Sequence, residues 1–588
     1  MLAVLISWIT ISIVFLTFGD FLVFLYNKLC KQNEQYRVTD TFLLGMCTSV
    51  MLLSISSLWL PSNHFILLAY LILSALYWYV RKDHLKLVVK EVKLRLRQYT
   101  FLQLLVFIIP VISLMIVILW QVGVFDSLYY HQQNIRWNEE YAVVPGLGNL
   151  EHRFAFNSNY LLLSAIFSFR FLFGEAVYSL HVLVLVYVLL WIIKEVFQSG
   201  YEVKRIVLLL LFTTYIFVFG YSFTATSTDA IPNVITFYLI AKMLLYPDMI
   251  KRNILLYIVL PITLITFKVT VLPIVFISLY ILIYSIKEKN YKAIVFPVLV
   301  SFIIALVWTV RNVIISGYIL FPFSAIDLFS VDWKMPQSVA VEETDFIFSC
   351  GIGIFDNMVT SLSSIPYNIS STKEWLINFV LIALPLLSPI VIIYSIWRKR
   401  YLNKIVYLVF LILLSIWIIW FVGGPDPRFI GGILFAIAYF VIFILISTKK
   451  ERLFRKIGIF TIILFSVIMI YWPIGRTIRF TNMFNVRAFP DKERSFFDIF
   501  YRQYPYRELI RSIGLYKDDF SVFNFDNGKS IYISESWEIP AGRFVCFDDP
   551  FPCTVKSDDA KYQDISEVEM RGTSFQYGFK PKKKESYN

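Results

Sequence analysis

FLQLLVFIIPVISLMIVILWQVG, residues 101–123, followed at once by VFDSLYYH, residues 124–131, decides the architecture. The first stretch has no ionisable side chain and is long enough to cross a hydrocarbon core of about 30 Å as a helix. The return to polar residues at Asp126, Ser127 and His131 marks where the chain leaves the membrane. Comparable apolar runs lie near residues 1–26, 41–60, 65–80, 176–193, 206–221, 231–246, 254–267, 269–286, 293–314, 376–397, 404–423, 429–447 and 457–473. With 101–123 they make about fourteen expected spans. The first run is too long for a cleavable signal peptide and has no basic start or small-residue cleavage site.

Composition agrees with this reading. Of 588 residues, 58% are hydrophobic and 16% charged, and mean hydropathy is +0.68. A soluble chain carries about a quarter charged residues, so lipid must cover the excess. The 55 Phe and 36 Tyr suit rings at the headgroup level. The net charge of +13 is no nucleic-acid footprint, because the basic residues sit in short clusters between apolar runs. The clusters at Arg81–Arg97, Lys194–Arg205, Lys251–Arg252, Lys287–Lys292, Arg398–Lys404 and Lys449–Lys456 mark one face as cytoplasmic. Both termini then lie outside, with three long segments, 124–175, 315–375 and 474–588.

The expected organisation is an all-α polytopic membrane protein with a small extracytoplasmic α+β C-terminal domain. Residues 1–100 form leading spans and a basic loop, and 101–320 a transmembrane module whose first outer loop is 124–175. Residues 321–473 form an outer loop and the last spans, and 474–588 the C-terminal domain. In that domain Ser521–Phe525, Ser530–Ser534 and Arg543–Phe547 alternate as strands do, before a basic tail at Lys580–Lys584. Cys546 and Cys553 lie close together there, as a disulfide or as two free thiols.

Polar residues collect at the outer ends of spans. The first outer loop holds Asp126, His131, Glu151, Arg153 and Asn157. A carboxylate partly screened from water has a raised pKa and can act as a general base, which nominates Asp126; the alternative is a polar residue at a helix exit. Asp229 either favours the positive end of the next helix or takes part in catalysis with Asp126 and His131. Lys268 falls between two apolar runs, where it either snorkels to the interface or meets an anionic phosphate. Arg311, and Arg428 on the turn Gly423-Gly424-Pro425-Asp426-Pro427-Arg428, are candidates for phosphate recognition; the alternative for Arg428 is a simple pair with Asp426. The shared outer level of Asp126, Asp229, Lys268, Arg311 and Arg428 suggests one wet cavity.

This pattern resembles the GT-C superfamily of membrane glycosyltransferases, whose catalytic Asp or Glu lies in the first outer loop, where Asp126 stands here. The likeness covers roughly residues 101–320 by topology. The run from Asp126 to Ser158, the Pro-Asp-Pro-Arg-Phe turn and the cysteine-bearing tail look like an uncharacterised family of bacterial multi-span membrane proteins. The resemblance implies a polyprenyl-phosphate sugar donor and a glycan, lipid or protein acceptor of the cell envelope, met at the outer face of a bacterial cytoplasmic membrane. In that reading Asp126 is the base, Asp229 and His131 support it, and Lys268, Arg311 and Arg428 hold the phosphate. Asn157, Glu151 and Arg153 complete the substrate site. The sequence departs from the superfamily in having Asp126-Ser127 where several members have a tandem acidic pair, so dependence on a divalent metal stays open, with Glu139, Glu140 or Glu151 as a second carboxylate. Rival readings are a polysaccharide polymerase or ligase, a transporter of a lipid-linked glycan, for which Asp20 is the main site within a span, and a non-catalytic envelope scaffold.

Overall fold

The computed structural model describes residues 1–119, 126–220, 222–363, 366, 369–398, 402–446, 451–487, 520–534, 545–555 and 565–582. Among them are eleven helices long and apolar enough to cross a membrane, or twelve if the bent pair at 64–96 is one span. The chain is therefore a polytopic helical membrane protein. Of the fourteen expected runs, 65–80 counts only within that bent pair, the eleven include the unexpected helix Gln337–Ser363, and three other runs drop out for a physical reason. The runs near 206–221, 231–246 and 254–267 form helices of 16, 16 and 12 residues, short of the ~20 that a span needs. The two at Ala230–Leu245 and Ile254–Ile265 are buried on nearly every side by neighbouring helices.

The bundle is built on close helix contacts. Helices α1 (Leu2–Cys30) and α2 (Val38–Ser56) pack backbone to backbone. A Cβ on Gly45 would lie 1.6 Å from the Phe15 carbonyl oxygen, and one on Gly19 1.8 Å from that of Thr41. Small residues at such crossings let helices approach where no hydrophobic force drives them together. Phe42, next to Gly45 on α2, stacks on Tyr187 at 3.8 Å and ties the pair to the helix Leu180–Gln198. At one end of the bundle, Asp40 accepts hydrogen bonds from Lys242 at 2.6 Å and Tyr238 at 2.5 Å. Asp20 belongs to the same end: it pairs with Arg81 at 3.1 Å and His84 at 3.2 Å. It therefore fixes the junction of α3 (His64–Val80) with α4 (Lys82–Leu96), where the sequence had suggested a transport site.

The opposite end carries the polar cleft. One helix there, Gln337–Ser363, falls within the expected outer segment 315–375. By length and composition it counts among the candidate spans, yet only 6% of its apolar window is buried. Three of its contacts lie at the cleft end. Glu343 meets His152 and Arg153 of the segment 124–175. Gly351 abuts Gly424 and Pro425. The Phe355 ring lies 6.2 and 5.4 Å from those of Trp420 and Phe421. Residues 343 to 355 cover about 18 Å of helix, so this helix runs along the cleft end and does not descend between the spans.

The last helix continues from Glu451 to Arg487, past the expected boundary near Arg476. Beyond it, β1 (Phe520–Asn524) pairs antiparallel with β2 (Ser530–Ser534), and β3 (Cys553–Val555) lies parallel to β2. β4 (Val568–Met570) and β5 (Phe579–Pro581) form a separate antiparallel pair. Of the expected strand at 543–547, residues 543 and 544 lie outside the described residues and 545–547 are irregular; the third described strand is β3. Residues 583–584 of the basic tail also lie outside the described residues. Ile531, Val568 and Phe579 of these strands share one apolar core with Trp137, Leu147 and Phe154 of the segment 124–175 and with Tyr318 and Met335 beyond it.

Candidate functional site

A cavity of about 1040 Å³ opens at the cleft end. Asp126 stands on its wall just ahead of a π-helical turn, Ser127–His131, that runs into the helix Gln132–Glu140. Ser127 Oγ donates to the Thr226 carbonyl at 3.0 Å, and His131 Nδ1 donates to the same oxygen. One carbonyl thus fastens the Asp126 turn to the segment that ends in Asp229. The disulfide Cys546–Cys553 holds the turn from the other side. The Cys546 and Phe547 amides donate to the Leu128 carbonyl at 3.1 and 2.9 Å. Gln133 Nε2 donates to the Phe547 and Pro550 carbonyls, and the Cys553 amide donates to Gln133 Oε1.

Two arginines converge on Asp126. Arg428 Nη1 is 3.5 Å from one carboxylate oxygen and Arg153 Nη1 is 3.9 Å from the other. Both are held more tightly from behind. Arg428 Nε donates to Asp426 at 2.6 Å. Asp426 also caps the helix Pro427–Leu445 by accepting from the Arg428 amide at 2.8 Å, with Pro427 at the first helical position, where its missing N–H costs nothing. Arg153 Nε donates to Glu343 at 3.2 Å, and its guanidinium lies 5.0 Å from the Tyr129 ring and 5.2 Å from that of Phe346. Across the cavity Lys268 pairs with Asp229 at 2.9 Å and lies 4.5 Å from the Phe429 ring.

The electrostatics follow from these pairs. Burial pushes the Asp126 carboxyl up, but Arg428 and Arg153 outweigh it and hold the group below the usual carboxylate range. This corrects the expectation of a raised value: the sequence showed a screened carboxylate but not the two guanidinium groups facing it. Burial drives His131 down to about 4, so its ring is neutral and Nδ1 carries the proton given to Thr226. Its Nε2 is buried without a hydrogen-bond partner among the described residues. His152 moves the other way. Burial opposes its charge, but Glu151 at 3.0 Å and Glu343 at 3.1 Å raise it to about 9. The cavity walls thus carry four carboxylates (Asp126, Asp229, Asp426, Glu343) against four cations (His152, Arg153, Lys268, Arg428). An incoming anion would compete with resident carboxylates for cations already paired.

Asp126, His131, Arg153, Asn157, Asp229, Lys268 and Arg428 all border this cavity. Arg311 and Glu151 do not. Arg311 is 2% exposed and donates to Ser57 at 2.6 Å, Asn138 at 2.9 Å and Asn157 at 3.4 Å, so its N–H groups stitch helices together away from the cavity. Glu151 is spent on His152, the Arg153 amide and Thr554. The Asn157 side chain donates to the Trp308 carbonyl and accepts from Arg311, which makes it part of the wall. Sequence reading missed Glu343, which lay in a segment taken for a loop. It also missed the ring-lined side of the cavity, Tyr129, Phe346, Trp420 and Phe429, because aromatics are common throughout this chain. Among the described residues no group of three or more His, Cys, Asp and Glu could hold a metal ion. Glu139 and Glu140, the suggested second carboxylates, pair with Arg170 and Arg136.

The sequence profile of a domain of unknown function, DUF8201, matches residues 1–435. The chain belongs to the DUF8201 family. No curated protein and no solved structure matches it. The DUF8201 match takes in Asp126, Arg153, Asp229, Lys268, Glu343 and Arg428, and stops short of the last long helix and the β-strands.

Proposed function

We propose that this DUF8201 protein is a membrane glycosyltransferase that takes a sugar from a polyprenyl-phosphate donor and passes it to a glycan, lipid or protein acceptor of the cell envelope. The observation that carries the reading is the pair Arg153 and Arg428. Each is anchored through Nε by a rear carboxylate, and each turns Nη1 towards one point at 3.5–3.9 Å. Anchored guanidinium groups of this kind suit phosphate recognition. The apolar and aromatic walls, which include Phe323, Ile354 and Ile419, suit the lipid and the sugar faces. The distribution of Lys and Arg supports an outward-facing cleft and termini in a bacterial-type cytoplasmic membrane, and the topological likeness to GT-C enzymes supports the reaction type.

In this mechanism the donor phosphate slots between Arg153 and Arg428 and draws their Nη1 groups from Asp126. The carboxylate, relieved of the cations that hold its pKa down, becomes the stronger base and takes the proton of the acceptor hydroxyl. The acceptor oxygen bonds to the anomeric carbon as the anomeric C–O bond breaks. The electron pair leaves with the phosphate, where the two arginines stabilise it. Lys268 and Asp229 flank the acceptor side. A photoreactive polyprenyl phosphate tests the binding half. It should label the wild-type cleft and be displaced by polyprenyl phosphate but not by the neutral polyprenol, and Arg153→Gln/Arg428→Gln should lose the label. Equal displacement by polyprenol would contradict the phosphate reading.

A further inference from the structure

Helix α4, Lys82–Leu96, buries none of its residues. It is bent 91° from α3. Its near end is fixed by Asp20, which pairs with Arg81 and His84. Its far end runs directly into the apolar span Phe101–Leu119. There Tyr99 and Phe107 pack on Phe197, in the last turn of the helix Leu180–Gln198 at the end remote from the cleft. Both ends of α4 are therefore tied to membrane-crossing helices at one surface, and its axis, about 22 Å long, lies along that surface.

The faces of α4 are largely sorted, Leu87, Leu94 and Arg95 being the exceptions. At roughly 100° per residue, Lys82, Lys86, Lys90, Lys93 and the following Arg97 fall within an arc of about 80°. Leu85, Val88, Val89, Val92 and Leu96 fall within an adjoining arc of about 100°. Val89 is 58% exposed and Leu96 52%, and none of the described residues buries the apolar stripe. A soluble helix would not leave such a stripe open beside five cations. A helix lying in a headgroup layer needs that arrangement, with the apolar side chains towards the acyl boundary and the cations at the phosphates.

We propose that α4 is an interfacial helix that binds anionic phospholipid headgroups of the leaflet remote from the cleft. The apolar stripe sets its depth, and the basic stripe recruits the anionic lipid around the edge of the bundle formed by α3 and the span Phe101–Leu119. The complementarity of five cations to anionic headgroups names the occupant. This holds whatever reaction the cleft performs.

The test uses the full chain in phosphatidylcholine vesicles with trace spin-labelled phosphatidylglycerol or phosphatidylcholine. Wild type should restrict the anionic probe in preference to the zwitterionic one, and replacing Lys82, Lys86, Lys90, Lys93 and Arg97 by Gln should cut that preference about threefold or more. A second measurement leaves at least four of the five cations in place. Nitroxides at Val92→Cys and Lys86→Cys, on a Cys350→Ser background, are read for collision with oxygen and with a water-soluble nickel chelate in vesicles containing phosphatidylglycerol. Val92 should favour oxygen and Lys86 nickel. An unchanged lipid preference in the Gln variant overturns the proposal. So does a Val92 label as open to nickel as Lys86, or one closed to both relaxants, the mark of a protein partner on that face.

Discussion

Raising the pH should unlock the segment 147–158 through His152. Its imidazole is 9% exposed and clamped between Glu151 and Glu343 at 3.0 and 3.1 Å. Its pKa rises from 6.5 to about 9 on folding. At about 1.4 kcal/mol per unit, that displacement contributes about 3 kcal/mol. A raised folded-state pKa fixes the sign. The contribution is fully present below pH 6.5, declines as pH rises, and is gone once pH passes about 9. The assay is thermal unfolding in detergent at pH 6.5, 8 and 9.5 for wild type and His152→Gln, in which titrations common to both cancel. The wild type should hold its largest Tm advantage at pH 6.5 and lose most of it by pH 9.5. Hydrogen exchange in residues 147–158 should rise over the same interval in the wild type. An advantage that stays constant across the interval would refute the clamp.

Three further outcomes follow from the packing. Lys242→Met strands the buried Asp40 carboxylate, which Lys242 meets at 2.6 Å, and should cost about 3–5 kcal/mol; adding Asp40→Asn should recover a large part of the lost Tm, whereas additive losses would show that the pair is not coupled. Gly45→Val puts its Cβ 1.6 Å from the Phe15 carbonyl oxygen and should destabilise by about 1–3 kcal/mol or more, while Gly353→Ala, with no atom within 4 Å of the new Cβ, should leave Tm unchanged; equal effects would contradict the close crossing of α1 and α2. Replacing Cys546 and Cys553 by Ser should raise hydrogen exchange across residues 128–134, whose carbonyls and side chains the cystine segment holds, and unaltered exchange there would show that the segment is not a clamp.

What could be read in advance was whatever depends on local pattern. The span at 101–123 needed no partner to be recognised, and the shared level of Asp126, Asp229, Lys268 and Arg428 at one end of the bundle followed from alternation of the loops. These four do border one cavity. What failed depended on contacts made far along the chain. Arg311 looked like its neighbours at span ends, yet three oxygens from residues 57, 138 and 157 engage it inside the bundle. Asp126 looked like a screened acid because nothing near it in sequence announces Arg153 and Arg428. Glu343 was hidden in a helix whose weak apolar character, mean hydropathy 1.3, read as loop. The short helices near 206–265 pass a hydrophobicity scan as spans because burial inside a bundle and burial in lipid select the same side chains.

Sugar transfer tests the central claim most directly. Purified protein in liposomes, offered a panel of polyprenyl-phosphate sugars and envelope acceptors, is compared with Asp126→Asn, whose fold is checked by its melting curve. Transfer by the wild type from at least one donor, lost in a well-folded Asp126→Asn, is the predicted result. Transfer that persists undiminished in that variant would remove Asp126 from the chemistry, and no turnover of any donor by the wild type would contradict the glycosyltransferase reading itself.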